Sequence, residues 1–266
     1  MTYLYRMKTL TIANRKGGVG KTTSTWGLAH ALAHQGARVL IIDCDPQRNL
    51  TMSLPEIAEA KHLGLALNGT SLAEVLQPVG ENLWLVQATA ELTSTEKVLG
   101  TDMAYPFALK NALATLGKQP PFEYCLFDTS PSPHSPLAIA ALVASNAVFI
   151  PMQPEYFAYE GLTSLLEVIA RIQQNYNPNL LVGGIFMTKY AESYRRRLHH
   201  EFVKMLKEDA TLGKCILTST IRDNVSLAEA QLERTSIYDY APASNGCADY
   251  ERLSQEIVSR LTAQAT

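Results

Sequence analysis

Between residues 8 and 36 the chain passes from an apolar run, KTLTIAN, through the basic, glycine-rich stretch RKGGVGK into TTSTWGLAHALAHQG. That succession leaves few folds open. The short apolar run reads as a strand buried on both faces. The segment after the glycines spaces Trp26, Leu28, Ala29, Leu32 and Ala33 along one helical side and stops at Gly36. A strand tied to a helix by a tight glycine loop opens a β–α–β unit, and such units build parallel sheets.

The same alternation continues along the chain. Strands are predicted at 37–43, 83–88, 122–128, 146–152, 179–188 and 215–221, and helices at about 104–117, 161–175, 195–209 and 249–261. Residues 44–80 are punctuated by Pro and Gly, with one short helix at 71–76. The pattern predicts an α/β fold: a doubly wound, mostly parallel sheet with helices on both faces. With 266 residues, 47% apolar and 18% charged, and no linker or repeat, residues 1–266 are expected to form a single domain.

No run reaches the ~18 apolar residues of a membrane span, and the start lacks a signal peptide's apolar core. The cysteines, Cys44, Cys125, Cys215 and Cys247, are dispersed without a C-x-x-C pair, which points to reduced thiols in the cytosol. The net charge of −2 means that any attraction to nucleic acid must come from a local patch.

The chemistry concentrates at Gly17, Gly18, Val19, Gly20, Lys21, Thr22 and Thr23. Glycines let successive backbone N–H groups converge on phosphate oxygens, and the helix that follows presents its positive end. Lys21 is placed for the β/γ-phosphates and Thr22 for Mg²⁺, so ATP and Mg²⁺ are the expected ligands and a P-loop NTPase the expected fold class. The strict phosphate-loop pattern is broken at residue 15, which is Arg, and a second lysine, Lys16, stands at the mouth of the loop.

The stretch K-G-G-V-G-K-T-T resembles the deviant Walker A loop of the ParA/MinD superfamily, whose extra lysine reaches into the partner subunit's nucleotide site when two monomers enclose two ATP molecules. That resemblance implies a homodimer formed on ATP binding, with Lys16 catalytic in trans beside Lys21. IIDCDPQRNLT resembles the segment after the second strand in ParA proteins, which assigns Asp45 to orienting the attacking water near the metal and Asp43 to supporting the loop or metal shell. Arg48 stands there in place of the family's glycine. YCLFD resembles a Walker B strand ending in Asp128, the expected Mg²⁺ residue. PMQPEYFAYEGL resembles a segment whose tyrosines, Glu155 and Glu160 read as joining sheet to helix. Thr188 and Asn224 match positions that wall the adenine pocket; a buried structural role explains each about as well. The similarity spans residues 8 to about 262 and is that of a short ParA/Soj-type ATPase without an N-terminal helix-turn-helix.

The resemblance also implies what such a switch engages: nonspecific DNA, a ParB-like or other adaptor that stimulates hydrolysis, and a plasmid, chromosomal or protein cargo over the nucleoid. Residues 189–222 carry an excess of four positive charges, with Arg195, Arg196 and Arg197 consecutive. Those three and Arg222 are the candidate DNA contacts, against the reading of a merely solvated helix face. Asp223 occupies the family's usual arginine position, one place after Arg222. The alternative function is a MinD-like membrane-associated or regulatory ATPase, but the closing YERLSQEIVSRLTAQAT balances acids and bases, so no membrane partner is expected and the helix should pack on the body. An electron-transfer role is rejected because the cysteines are not placed to share an iron–sulfur cluster.

Overall fold

The computed structural model describes residues 7–118, 120–132, 135–155 and 158–263. The sheet runs through most of them. Its strands are β1 (Lys8–Ile12), β2 (Val39–Asp43), β3 (Gln77–Gly80), β4 (Leu83–Val86), β5 (Tyr124–Asp128), β6 (Ala147–Met152) and β7 (Leu181–Met187). They lie in the order β3-β4-β2-β5-β1-β6-β7, parallel except for β3 against β4.

Alternate residues of each strand feed opposite layers. Leu10, Ile12, Val39, Ile41, Leu85 and Leu126 pack on one face with residues of α1 (Lys21–His34) and the closing helix. On the other face, Leu40, Ile42, Cys125 and Phe127 pack with the helical segments between residues 63 and 144. Val148, Ile150 and Ile185 continue that face against the helices at 158–175 and 197–208.

In chain order the remaining helices are α2 (Asn49–Met52), α3 (Leu63–Leu67), α4 (Leu72–Val75), α5 (Leu92–Leu99), α6 (Ala108–Ala114), α7 (Pro136–Ala144), α8 (Ala158–Asn175), α9 (Arg197–Glu208), α10 (Val225–Leu232), α11 (Ile237–Tyr240) and α12 (Asn245–Ala263). Local chemistry starts several of them. Ser135 accepts from the Ala138 N–H ahead of Pro136, and Asn224 accepts from the Ser226 N–H to cap α10.

The expectation for the C-terminal helix holds. Tyr250, Leu253, Ile257 and Leu261 of α12 are buried, and the ring of Tyr250 lies so close to α1 that a Cβ on Gly27 would stand 2.6 Å from it. Among the described residues no helix is long and apolar enough to cross a membrane. All four cysteines are free thiols.

One predicted strand is corrected. Residues 215–221 run beside β7 but pair there through isolated parallel bridges, Ile185 with Ile216 and Thr188 with Ile221, rather than through a continuous ladder. The Glu256 carboxylate captures the N–H groups of Thr218 and Ser219 at 2.9 and 2.8 Å, removing donors that a ladder would need. Conversely β3 was not anticipated, because Pro78 and Gly80 look like breakers; both fit an edge strand.

Candidate nucleotide site

The carboxyl ends of β2, β5 and β1 lie side by side, at the place where the chain switches from one side of β1 to the other. Residues 13–20 leave β1 and turn into α1. Gly18 and Gly20 take φ of 73° and 88°, the left-handed region that favours glycine. A Cβ on Gly17 or Gly18 would meet nothing within 4 Å, so the ground above the loop is open. Helix α1 begins without a side-chain cap and without an acidic residue in its first turn, which keeps its N–H groups and positive end for an anion.

The two lysines of the loop differ. Lys21 is 7% exposed and donates to the Lys16 carbonyl at 3.1 Å. Burial lowers its pKa, opposed by the charges of Asp128 and Asp45. The Lys16 side chain is 37% exposed, and its amine pairs with Glu155 of the same chain. Sequence reading gave Glu155 only a linking role; the structure sets it on the loop.

Beneath Lys21 lies a buried acidic floor. Asp43 and Asp128, neighbours in the β2–β5 register, are both fully buried. Thr22 Oγ1 donates to Asp128 Oδ2 at 2.8 Å and Thr25 Oγ1 to Oδ1 at 3.2 Å. Burial, reinforced by the charge of Asp43, pushes the Asp128 carboxyl up to about 8. Asp43 is likewise raised by burial, to about 6, against the hydrogen bonds from Thr51 and the Asp45 N–H. Two carboxyls that burial holds back from ionising, with a threonine hydroxyl between loop and strand, fit a hard dication.

Asp45 is 5% exposed and its carboxylate accepts from the Gln47 N–H at 2.9 Å. Asp43 organises the loop around it by accepting from Thr51 N at 2.9 Å and Thr51 Oγ1 at 2.6 Å. Arg48, the departure from the family's glycine, adopts φ 60° and ψ 23°, so the turn keeps a glycine-like backbone at some conformational cost.

The two adenine-pocket candidates take different partners, although Thr188 is bridged to Ile221, three residues before Asn224. Thr188 Oγ1 donates to the Val19 carbonyl at 2.9 Å, pinning the phosphate loop to the end of β7. Asn224 is half-buried as the cap of α10, and that helix reaches the loop through Gln231, which accepts from Thr23 Oγ1 at 3.2 Å. Three contacts went unread in the sequence: Gln153 Nε2 on the Gly18 carbonyl at 2.8 Å, Gln231 on Thr23, and Glu155 on Lys16. Of the tyrosines in the 151–162 segment, Tyr156 lies outside the described residues, while Tyr159 and Glu160 belong to the first turn of α8.

The basic region is divided as well. Arg197 pairs with Glu201, Lys204 with Glu208 and Lys207 with Glu192. Arg222 turns inward to the fully buried Asp249, at 2.6 Å, which Arg252 also grips. Among the described residues, Arg195 and Arg196 are exposed and form no ion pair, and Arg196 stacks 5.8 Å above the Tyr194 ring.

A left-handed glycine loop, a buried lysine and a threonine–aspartate pair at a sheet's switch point define a P-loop nucleoside triphosphatase. A family model described as an AAA domain matches residues 7–182. Chromosome-partitioning ATPase Soj of Thermus thermophilus is 37% identical over 257 residues, 96% of this chain and 97% of that protein. Chromosome partitioning protein ParA of Caulobacter vibrioides is 34% identical over 265 residues, 96% of this chain and 95% of that protein. Cobyrinic acid a,c-diamide synthase from Mycobacterium smegmatis, solved with an ATP analogue and magnesium, superposes with a TM-score of 0.81 at 27% identity, covering 97% of both chains. The chain belongs to the ParA/Soj family of partition ATPases.

Proposed function

We propose that this protein is an ATP-driven dimerising switch that carries cargo over DNA. The observation that carries the reading is the division of labour between two lysines five residues apart. Lys21 is sunk beneath the loop, where a lysine holds phosphates from below. Lys16 stands at the mouth, its amine paired with the exposed carboxylate of Glu155, and in this reading it is the lysine that serves a site outside its own subunit.

In this reading the loop 16–23 binds ATP, Lys21 holds its β/γ-phosphates, and Thr22 and Asp128 hold Mg²⁺. The bound metal neutralises charge developing on the γ-phosphate. Asp45, held at the edge of the acidic floor, orients water for attack. Lys16 of each subunit adds its charge to the triphosphate gripped by the other, so nucleotide hydrolysis and dimer life are linked. Closure doubles the exposed arginines presented by Arg195 and Arg196, and two weak phosphate-binding patches become one bivalent surface. Hydrolysis, stimulated by a ParB-like or other adaptor, returns monomers that leave the DNA. The protein then works in the cytoplasm against the nucleoid.

Mobility shifts with nonspecific duplex DNA test this, run with ATP, with ADP and without nucleotide. ATP should strengthen binding at least 10-fold, the gain falling steeply with added salt. Equal binding in all three states, or ATP-dependent sedimentation with anionic vesicles in place of DNA, would reverse the assignment.

A further inference from the structure

The segment leaving β6 is clamped across the phosphate loop. Asn14 Nδ2 donates to the Pro151 carbonyl at 2.7 Å, and Gln153 Nε2 donates to the Gly18 carbonyl at 2.8 Å. The Glu155 N–H turns back onto the Gln153 carbonyl at 2.8 Å, and the Glu155 carbonyl accepts from the Ala158 N–H, at the start of α8, at 2.9 Å. Glu155 therefore stands on a backbone fixed to the loop on one side and to a helix on the other. Its carboxylate pairs with the Lys16 amine.

We propose that Glu155 is an intramolecular competitor that holds Lys16 in its own subunit until the triphosphate of a facing subunit displaces it. The inference rests on the reading of Lys16 as a lysine donated in trans. Charge decides the contest: a single carboxylate faces a nucleotide carrying several negative charges, and loss of the γ-phosphate on hydrolysis returns the advantage to Glu155. The latch has to be weak to be useful. Lys16 and Glu155 keep 37% and 46% of their side-chain surface in water, so the carboxylate rehydrates readily when the amine leaves. An exposed pair of this kind contributes little, and two are broken in each dimer, so removing the competitor should tighten the dimer roughly 2- to 30-fold.

The experiment compares wild type, Glu155→Gln and Lys16→Ala by sedimentation equilibrium, with Mg²⁺ and either a non-hydrolysable ATP analogue or ADP. Glu155→Gln is expected to lower the dimer dissociation constant several-fold with the analogue and to stay monomeric with ADP. An unchanged or weaker dimer with the analogue overturns the latch, and so does a dimer that forms equally with ADP. The Lys16→Ala arm separates the two ideas. A monomeric Lys16→Ala beside an unchanged Glu155→Gln defeats the latch alone; a Lys16→Ala that dimerises as wild type defeats the trans lysine and the latch with it.

Discussion

The nucleotide end of the sheet and the basic surface around α9 are built in opposite ways. At the nucleotide end, Lys21, Asp43, Asp45 and Asp128 are buried, and their partners are hydroxyls, carbonyls and backbone N–H groups from the elements that carry them. Around α9 the charged side chains are exposed and mostly neutralise one another, as in Arg197 with Glu201 and Lys204 with Glu208. Buried polar groups are held in one arrangement because leaving any of them unpaired is costly; exposed ion pairs contribute little and rearrange freely. The first arrangement suits chemistry that requires fixed geometry. The second is suited to contacts that require only charge within reach.

Substitutions should therefore act as losses of chemistry in one region and as graded affinity changes in the other. Asp45→Ala is expected to lower ATP turnover about 100-fold while nucleotide still binds, read by phosphate release beside equilibrium titration. If binding is lost instead, Asp45 supports the loop or metal rather than the water.

Within the basic region, Arg222 and the Arg195–Arg196 pair should diverge. Arg222→Ala leaves the buried carboxylate of Asp249 with Arg252 and the backbone N–H of residue 222 as partners and should destabilise the fold by about 2 kcal/mol, seen in urea denaturation. Replacing Arg195 and Arg196 together should leave stability unchanged, weaken DNA binding about 10-fold and reduce the salt slope by about two. The reverse outcome would move the DNA surface toward α10.

The smallest effect concerns the far end of α1. Burial lowers His30 to about 4 from the ordinary 6.5. The unfolded chain then binds the extra proton between those values, so this histidine's contribution is present above pH 6.5 and is lost as the pH falls toward 4. His30→Gln should remove on the order of 1 kcal/mol of the stability lost between pH 7.5 and 5.5. An identical acid profile in the variant would mean that the imidazole reaches water.

These contrasts also explain what could be read beforehand. The phosphate loop, β1, α1 and Asp128 were legible because they depend on nearby residues: glycines at positive φ, a helix start, an apolar strand ending in a carboxylate. The missing strand at 215–221 was not legible, since the side chain that breaks its ladder, Glu256, lies 38 residues from Thr218. The same distance effect hid the link between Glu155 and Lys16, 139 residues apart, and the inward turn of Arg222 toward Asp249. Arg48 shows the converse: a departure from the motif that left the backbone turn in place, because a non-glycine residue can hold the left-handed conformation.

The proposed loan of Lys16 between subunits is measured most directly by molar mass. Light scattering on a sizing column, with Mg²⁺ and a non-hydrolysable ATP analogue, should give twice the chain mass for wild type and a single chain for Lys16→Ala, with nucleotide bound in both. A Lys16→Ala protein that elutes as a nucleotide-loaded dimer would contradict it.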